Sequence, residues 1–198
     1  MKLTPAIATA VLALTQCSSV CIPCTRDTPI LPVDLVLGSD AIVRARVDDY
    51  TAQVRRRQNG NRPELRPIRF DVLEVLKGDE VGPSVELQGY LVQGDDFNER
   101  TVPYDFVRPA GRKGSCFAFQ YKRGAEYLIF FLRHKGAWTL YPDPLAPVNE
   151  QLRSSDDRWV LWVRAVWEGA ARATQLTGSK IPADAIKPGR TMSHSPIW

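Results

Sequence analysis

Two segments of this 198-residue chain constrain its fold more than any other feature. The first is Arg69-Phe70-Asp71-Val72-Leu73-Glu74-Val75-Leu76-Lys77-Gly78. The second runs from Ser115-Cys116 through Gly124 to Tyr127-Leu128-Ile129-Phe130-Phe131-Leu132. Both are rich in β-branched and aromatic residues and both are bounded by turn residues, which is the signature of strands. Together they read as parts of one small barrel. Tyr127 to Leu132 is an unbroken apolar run, suited to a strand buried on both faces.

The flanking sequence extends the β pattern. Ala41, Val43, Ala45 and Val47 alternate with polar residues and predict a half-buried strand over 41–47. In the strand over 68–76, Ile68, Phe70 and Val72 share one face while Leu73 and Val75 share the other. That phase change predicts a bulge near Val72, and bulges bend strands as a small barrel requires. Val85, Leu87 and Gly89 continue the alternation in a third strand. His134-Lys135-Gly136 turns the chain into Trp138-Thr139-Leu140-Tyr141, which completes a hairpin. These five strands, with a polar loop over Gln53 to Pro67 and a long connection over Gln93 to Gly114, predict an all-β, five-stranded, OB-type Greek-key barrel.

Two helical stretches are expected. Val33 to Leu37 makes about one turn ending at Gly38. Later, Trp159, Trp162, Val163, Val166 and Ala170 form one apolar stripe at helical spacing, with Ser154 and Asp157 as a capping box. The stripe predicts one C-terminal helix packed on the barrel. The domain reading is a signal peptide over 1–19, a barrel over 20–150, the helix over 151–172, and a disordered tail over 173–198.

The N-terminus reads as an export signal. Lys2 precedes a short apolar run from Ala6 to Leu14. A membrane-spanning helix needs about 20 apolar residues, so this run is too short to be one, and no other segment qualifies. Leu14-Thr15-Gln16-Cys17 is close to a lipidation box, with Gln16 where a small residue belongs, so a lipid anchor on Cys17 stands as the alternative to simple cleavage. Either way an extracytoplasmic protein, secreted or periplasmic, is expected. Its four cysteines, Cys17, Cys21, Cys24 and Cys116, then belong to an oxidising compartment.

These features resemble the netrin-like family, the OB-type barrels of the tissue inhibitors of metalloproteinases and their bacterial relatives. The resemblance covers about residues 21 to 142 and rests on the strand followed by Leu76-Lys77-Gly78 and on Cys116 followed by Gly124-x-x-Tyr127-Leu128. It implies a disulfide from Cys116 to Cys24, with Cys21 as the other candidate. It also implies a non-enzymatic interaction module that is inhibitor-like in fold. The chain departs from the family in spacing its cysteine pair Cys-x-x-Cys where the inhibitors have Cys-x-Cys. The vertebrate inhibitors chelate a protease zinc through a free N-terminal cysteine amine. Gln16 and Val20 are poor residues to precede a cleavage, so that device is not expected here.

Cys21-Ile22-Pro23-Cys24 has the spacing of a thiol-disulfide oxidoreductase, and this exported enzyme is the rival reading. Cys17, Cys21 and Cys24 also match, in spacing alone, a cluster or zinc ligand set. Only His134 and His194 are available as histidine bases. Asp48-Asp49 and Asp95-Asp96 read as solvated acids on loops, with a calcium site or an acid/base pair as the alternative. No catalytic residue, metal or cofactor is expected.

The net charge of +4 owes much to Arg55, Arg56 and Arg57, with Arg62 and Arg66 nearby. Those three arginines are the candidate interaction residues, for an extracytoplasmic protein partner rather than a nucleic acid. The chain is expected to be a monomer.

Overall fold

In a computed structural model of the chain, the described residues are 29–51, 65–114 and 116–177. They are mostly β-sheet, with one long C-terminal helix. The elements are α1 (Pro32–Gly38), β1 (Ala41–Tyr50), β2 (Arg66–Lys77), β3 (Ser84–Val92), β4 (Gln120–Lys122), β5 (Glu126–His134), β6 (Ala137–Leu140), β7 (Asn149–Gln151) and α2 (Arg158–Thr177). A short 3₁₀ turn, Pro109–Arg112, interrupts the long connection between β3 and β4.

The sheet has seven strands where the sequence predicts five, and it is open where the sequence predicts a closed barrel. Its order is β4-β3-β2-β1-β5-β6, with β7 also paired to β5. The two added strands are the short ones, β4 and β7. Neither has an alternating apolar pattern long enough to announce a strand. β6 and β7 divide one edge of β5 between them: Phe131 to His134 pair with β6, and Tyr127 to Ile129 pair with β7. The other edge of β5 pairs with β1.

The expected bulge is present. Arg44 pairs with Glu74 and Ala45 with Val72, so Leu73 is an extra residue on β2. A second extra residue, Leu76, lies between the partners of Ile42 and Val43. Each insertion bends β2 and increases its twist. The hairpin between β5 and β6 turns on Lys135 (φ 49°) and Gly136 (φ 83°), the two left-handed positions of a two-residue turn.

The sheet buries both faces. On one face Ala41, Val43, Ala45 and Val47 of β1 pack with Ile68 and Phe70 of β2, Tyr121 of β4, and Tyr127, Ile129 and Phe131 of β5. The opposite face carries Ile42, Leu128 and Phe130, which pack against Leu35 and Val36 of α1 and Trp159, Val160 and Val163 of α2. This is why the run from Tyr127 to Phe131 is apolar without alternation.

α2 begins later and ends later than the sequence reading places it. Its cap is Asp157 itself: the carboxylate accepts the backbone N–H of Trp159 at 2.9 Å and that of Arg153 at 3.0 Å. The expected capping box, with Asp157 in the third helical position, is therefore corrected, because Asp157 precedes the first helical residue. Gly169 lies inside the helix, and residues 173–177 are helical rather than part of a tail.

Candidate functional site

The predicted site residues are distributed unevenly. Cys17, Cys21, Cys24, Arg55, Arg56 and Arg57 lie outside the described residues. Cys116 is disulfide-bonded. It precedes β4 with φ 64°, and its carbonyl accepts the N–H of Leu145 at 2.8 Å. His134 is an exposed residue at the end of β5. Asp48 and Asp49 sit at the exposed end of β1, on a strand rather than a loop, and Asp49 accepts from Arg123 at 2.6 Å.

Asp95 and Asp96 have divergent roles, and following Asp96 inward leads to a group that the sequence reading passes over. Asp96 forms an ion pair with Arg108, whose side chain is completely buried. The other guanidinium nitrogens of Arg108 donate to the carbonyls of Asn149 (2.8 Å) and Ala118 (3.0 Å). The cation lies 5.3 Å from the ring centre of Tyr121 and 5.1 Å from that of Tyr127. A buried arginine is tolerated when its donors and its charge are both answered, and here they are.

Glu150 stands beside this cation without touching its guanidinium. It accepts the Arg108 backbone N–H at 2.9 Å and the side-chain amide of Asn98 at 2.9 Å. Complete burial raises its carboxyl to about 7, against the pull of the Arg108 charge. Burial also pushes the Tyr121 and Tyr127 hydroxyls up. The Tyr121 hydroxyl accepts from the Asn149 side chain at 2.8 Å. Thus Asn149-Glu150-Gln151, a fully polar triplet, forms a fully buried strand whose side chains fasten the 93–114 connection to the sheet. In the sequence it is only a polar triplet framed by Val148 and Leu152, both buried, and that pattern does not by itself mark a strand.

Gln151 joins this hub to the surface. It accepts the Asp96 backbone N–H at 2.7 Å and donates to Asp95 at 2.6 Å. Asp95 also binds Lys122 at 2.8 Å, and the Lys122 and Gln151 hydrogen bonds hold its carboxyl below the usual range. Gln151 also lines an open cleft of about 460 Å³, together with Lys122, Arg123, Glu126, Phe97, Arg153 and Ser155. Arg153 lies 4.7 Å above the Phe97 ring and makes no ion pair among the described residues. Burial works against ionisation of Glu126, but hydrogen bonds from Arg46 and Arg44 outweigh it and hold the carboxyl below its ordinary value.

The cleft lies at the end of β1 from which the arginine-rich connection departs. The Val47 N–H donates to Ala125 O at 3.0 Å and the Gly124 N–H to Val47 O at 2.9 Å, which fastens the β4–β5 turn to β1. Such a site can exchange ion pairs with a polar ligand. Among the described residues, no group of three or more His, Cys, Asp or Glu side chains is placed to hold a metal ion.

The Leu76-Lys77-Gly78 motif also gains a physical meaning. Lys77 Nζ donates to the carbonyls of Val36 (3.0 Å) and Leu37 (2.7 Å), answering the open carbonyls at the end of α1. Gly78 has φ 92°, and a Cβ there would lie 2.8 Å from Asp40 O and 2.9 Å from Ala41 Cβ. The motif therefore locks α1, the start of β1 and the end of β2 together. Compared with known proteins, the chain matches no protein-family model, and a search of curated proteins returns no significant match.

Proposed function

We propose that the chain is an exported, non-enzymatic interaction module with a netrin-like, OB-type fold, and that it binds an extracytoplasmic protein partner at its charged end. The observation that carries this reading is the open cleft beside the β4–β5 turn, with Lys122, Arg123, Glu126 and Arg153 on its walls. Exposed ion pairs contribute little to stability, so pairs such as Lys122–Asp95 and Arg123–Asp49 are readily exchanged for pairs across an interface. A polar polypeptide segment suits that rim better than an apolar small molecule does. Arg55, Arg56 and Arg57 lie outside the described residues and stay in this reading as candidate interaction residues on the strength of their charge alone.

For an open sheet, the OB-type reading draws its support from the bends that two insertions put in β2, and from the parallel pairing of β3 with β4, beside which Tyr121 packs against Phe70 and Tyr127. A protease-inhibitory role is one specific form of the proposal. The experiment is affinity capture from the native envelope or medium with the mature protein as bait. The captured partner is then titrated against the parent chain and an Arg123→Ser/Arg153→Ser variant at several salt concentrations. Binding should weaken with salt and fall at least about tenfold in the variant. Salt-independent binding that the variant leaves unchanged would refute the charged-end assignment.

A further inference from the structure

We propose that Lys77 is an acylation site, its side-chain amine taking a small uncharged acyl group from an activated donor, a thioester or an anhydride, that enters the cavity between β2 and α2. That cavity is about 560 Å³ and is lined by Asp40, Val75, Leu76, Asp79 and Trp167 besides Lys77 itself. Lys77 lines this cavity, and its nitrogen carries one hydrogen beyond the two that are hydrogen-bonded. Two of its three hydrogens point at Val36 O and Leu37 O. The third position is left over, and the Trp167 ring centre lies 4.6 Å from the nitrogen. When that third proton leaves, the two anchoring bonds remain and the lone pair occupies the vacated position.

Burial favours the loss. It takes the Lys77 amine down to about 8, against the opposing pull of the Asp40 carboxylate. Val75, Leu76 and Trp167 give the cavity an apolar wall, while the carboxylates of Asp40 and Asp79 disfavour an anionic donor. The step balances simply. The nitrogen lone pair adds to the acyl carbon, and the bond to the leaving group breaks with its electron pair going to that group. The nitrogen's proton passes to solvent or to the departing group. The product amide is uncharged and keeps one N–H for the α1 carbonyls, so acylation removes the cation from beneath Trp167.

The test uses the native full chain and trace amounts of acetic anhydride between pH 6.5 and 11. Each lysine is quantified by peptide mass spectrometry, with exposed Lys113 and Lys135 as internal references. At pH 7.5 about a quarter of an amine titrating near 8 is neutral, against about one part in a thousand for an ordinary lysine. Lys77 should reach half its maximal rate near pH 8 and react more than about fivefold faster than the references at pH 7.5, a margin that allows for partial burial. In urea the difference should vanish. No label on Lys77, or a rate within fivefold of the references, would overturn the assignment.

Discussion

Arg108 stays inside the protein because each of its guanidinium nitrogens meets an oxygen. Replacing it with Met removes the cation that answers Asp96 and the side-chain donor to the Asn149 carbonyl, leaving Asp96 with only the Ala110 N–H and Ala118 O with only the Asn149 amide, so Arg108→Met should cost on the order of 3–5 kcal/mol in urea unfolding. Glu150 makes a different prediction. Its folded carboxyl titrates near 7 and its unfolded one near 4.5, so the folded state holds the proton more tightly. That contribution is complete below the unfolded value and is lost as pH rises through about 7. Between these limits stability should fall with pH by on the order of 3 kcal/mol from this group, and Glu150→Gln should abolish that slope. Neither residue was legible in the sequence. Arg108 lies in a turn-rich stretch without periodicity, and a polar triplet such as Asn149-Glu150-Gln151 reads as loop unless its partners are known. Asp95-Asp96 were legible as acids, but their separation into a surface pair and a buried pair depends on contacts 12 or more residues away.

The elements that sequence reasoning located were those whose burial repeats regularly. The alternation of β1, the phase change at Leu73 and the Lys135-Gly136 turn each leave a local signature. The cap of α2 was misplaced by three residues because Ser154 and Asp157 are both good capping types and only the backbone path separates them. Asp157→Ala should therefore cost about 1–2 kcal/mol and Ser154→Ala much less, as measured by thermal unfolding. Trp159 is wholly buried and stacked 5.2 Å from the half-buried Trp162. Truncation of Trp159 to Ala should cost about 3–5 kcal/mol, and the same change at Trp162 clearly less. Two glycines test the turn argument. Gly78 and Gly124 both have positive φ, but only Gly78 is crowded. Gly124→Ala should cost about 1–2 kcal/mol from its backbone conformation alone, and Gly78→Ala more, because Asp40 and Ala41 must also move.

At the scale of the molecule, the sheet lies between two apolar layers, and a charge ladder crosses its helical side. Arg164 of α2 pairs with Glu74 of β2 (2.6 Å). Glu74 pairs with Arg44 of β1 (3.2 Å), and Arg44 with Glu126 of β5 (2.6 Å), which also holds Arg46 (2.9 Å). The closed five-stranded wall expected from the sequence is an open seven-stranded sheet, because the long connections contribute strands of three residues that only their partners define. Among the described residues no helix is long and apolar enough to cross a membrane. In the proposed function the cysteines brace an interaction module, whereas in the rival one Cys21 and Cys24 serve a redox enzyme. Thiol titration of the native protein, followed by non-reducing peptide mapping, distinguishes the two. An interaction module should have Cys116 joined to Cys24 or Cys21 by a bond that resists mild reduction. A readily cycled Cys21–Cys24 pair with Cys116 free would contradict it.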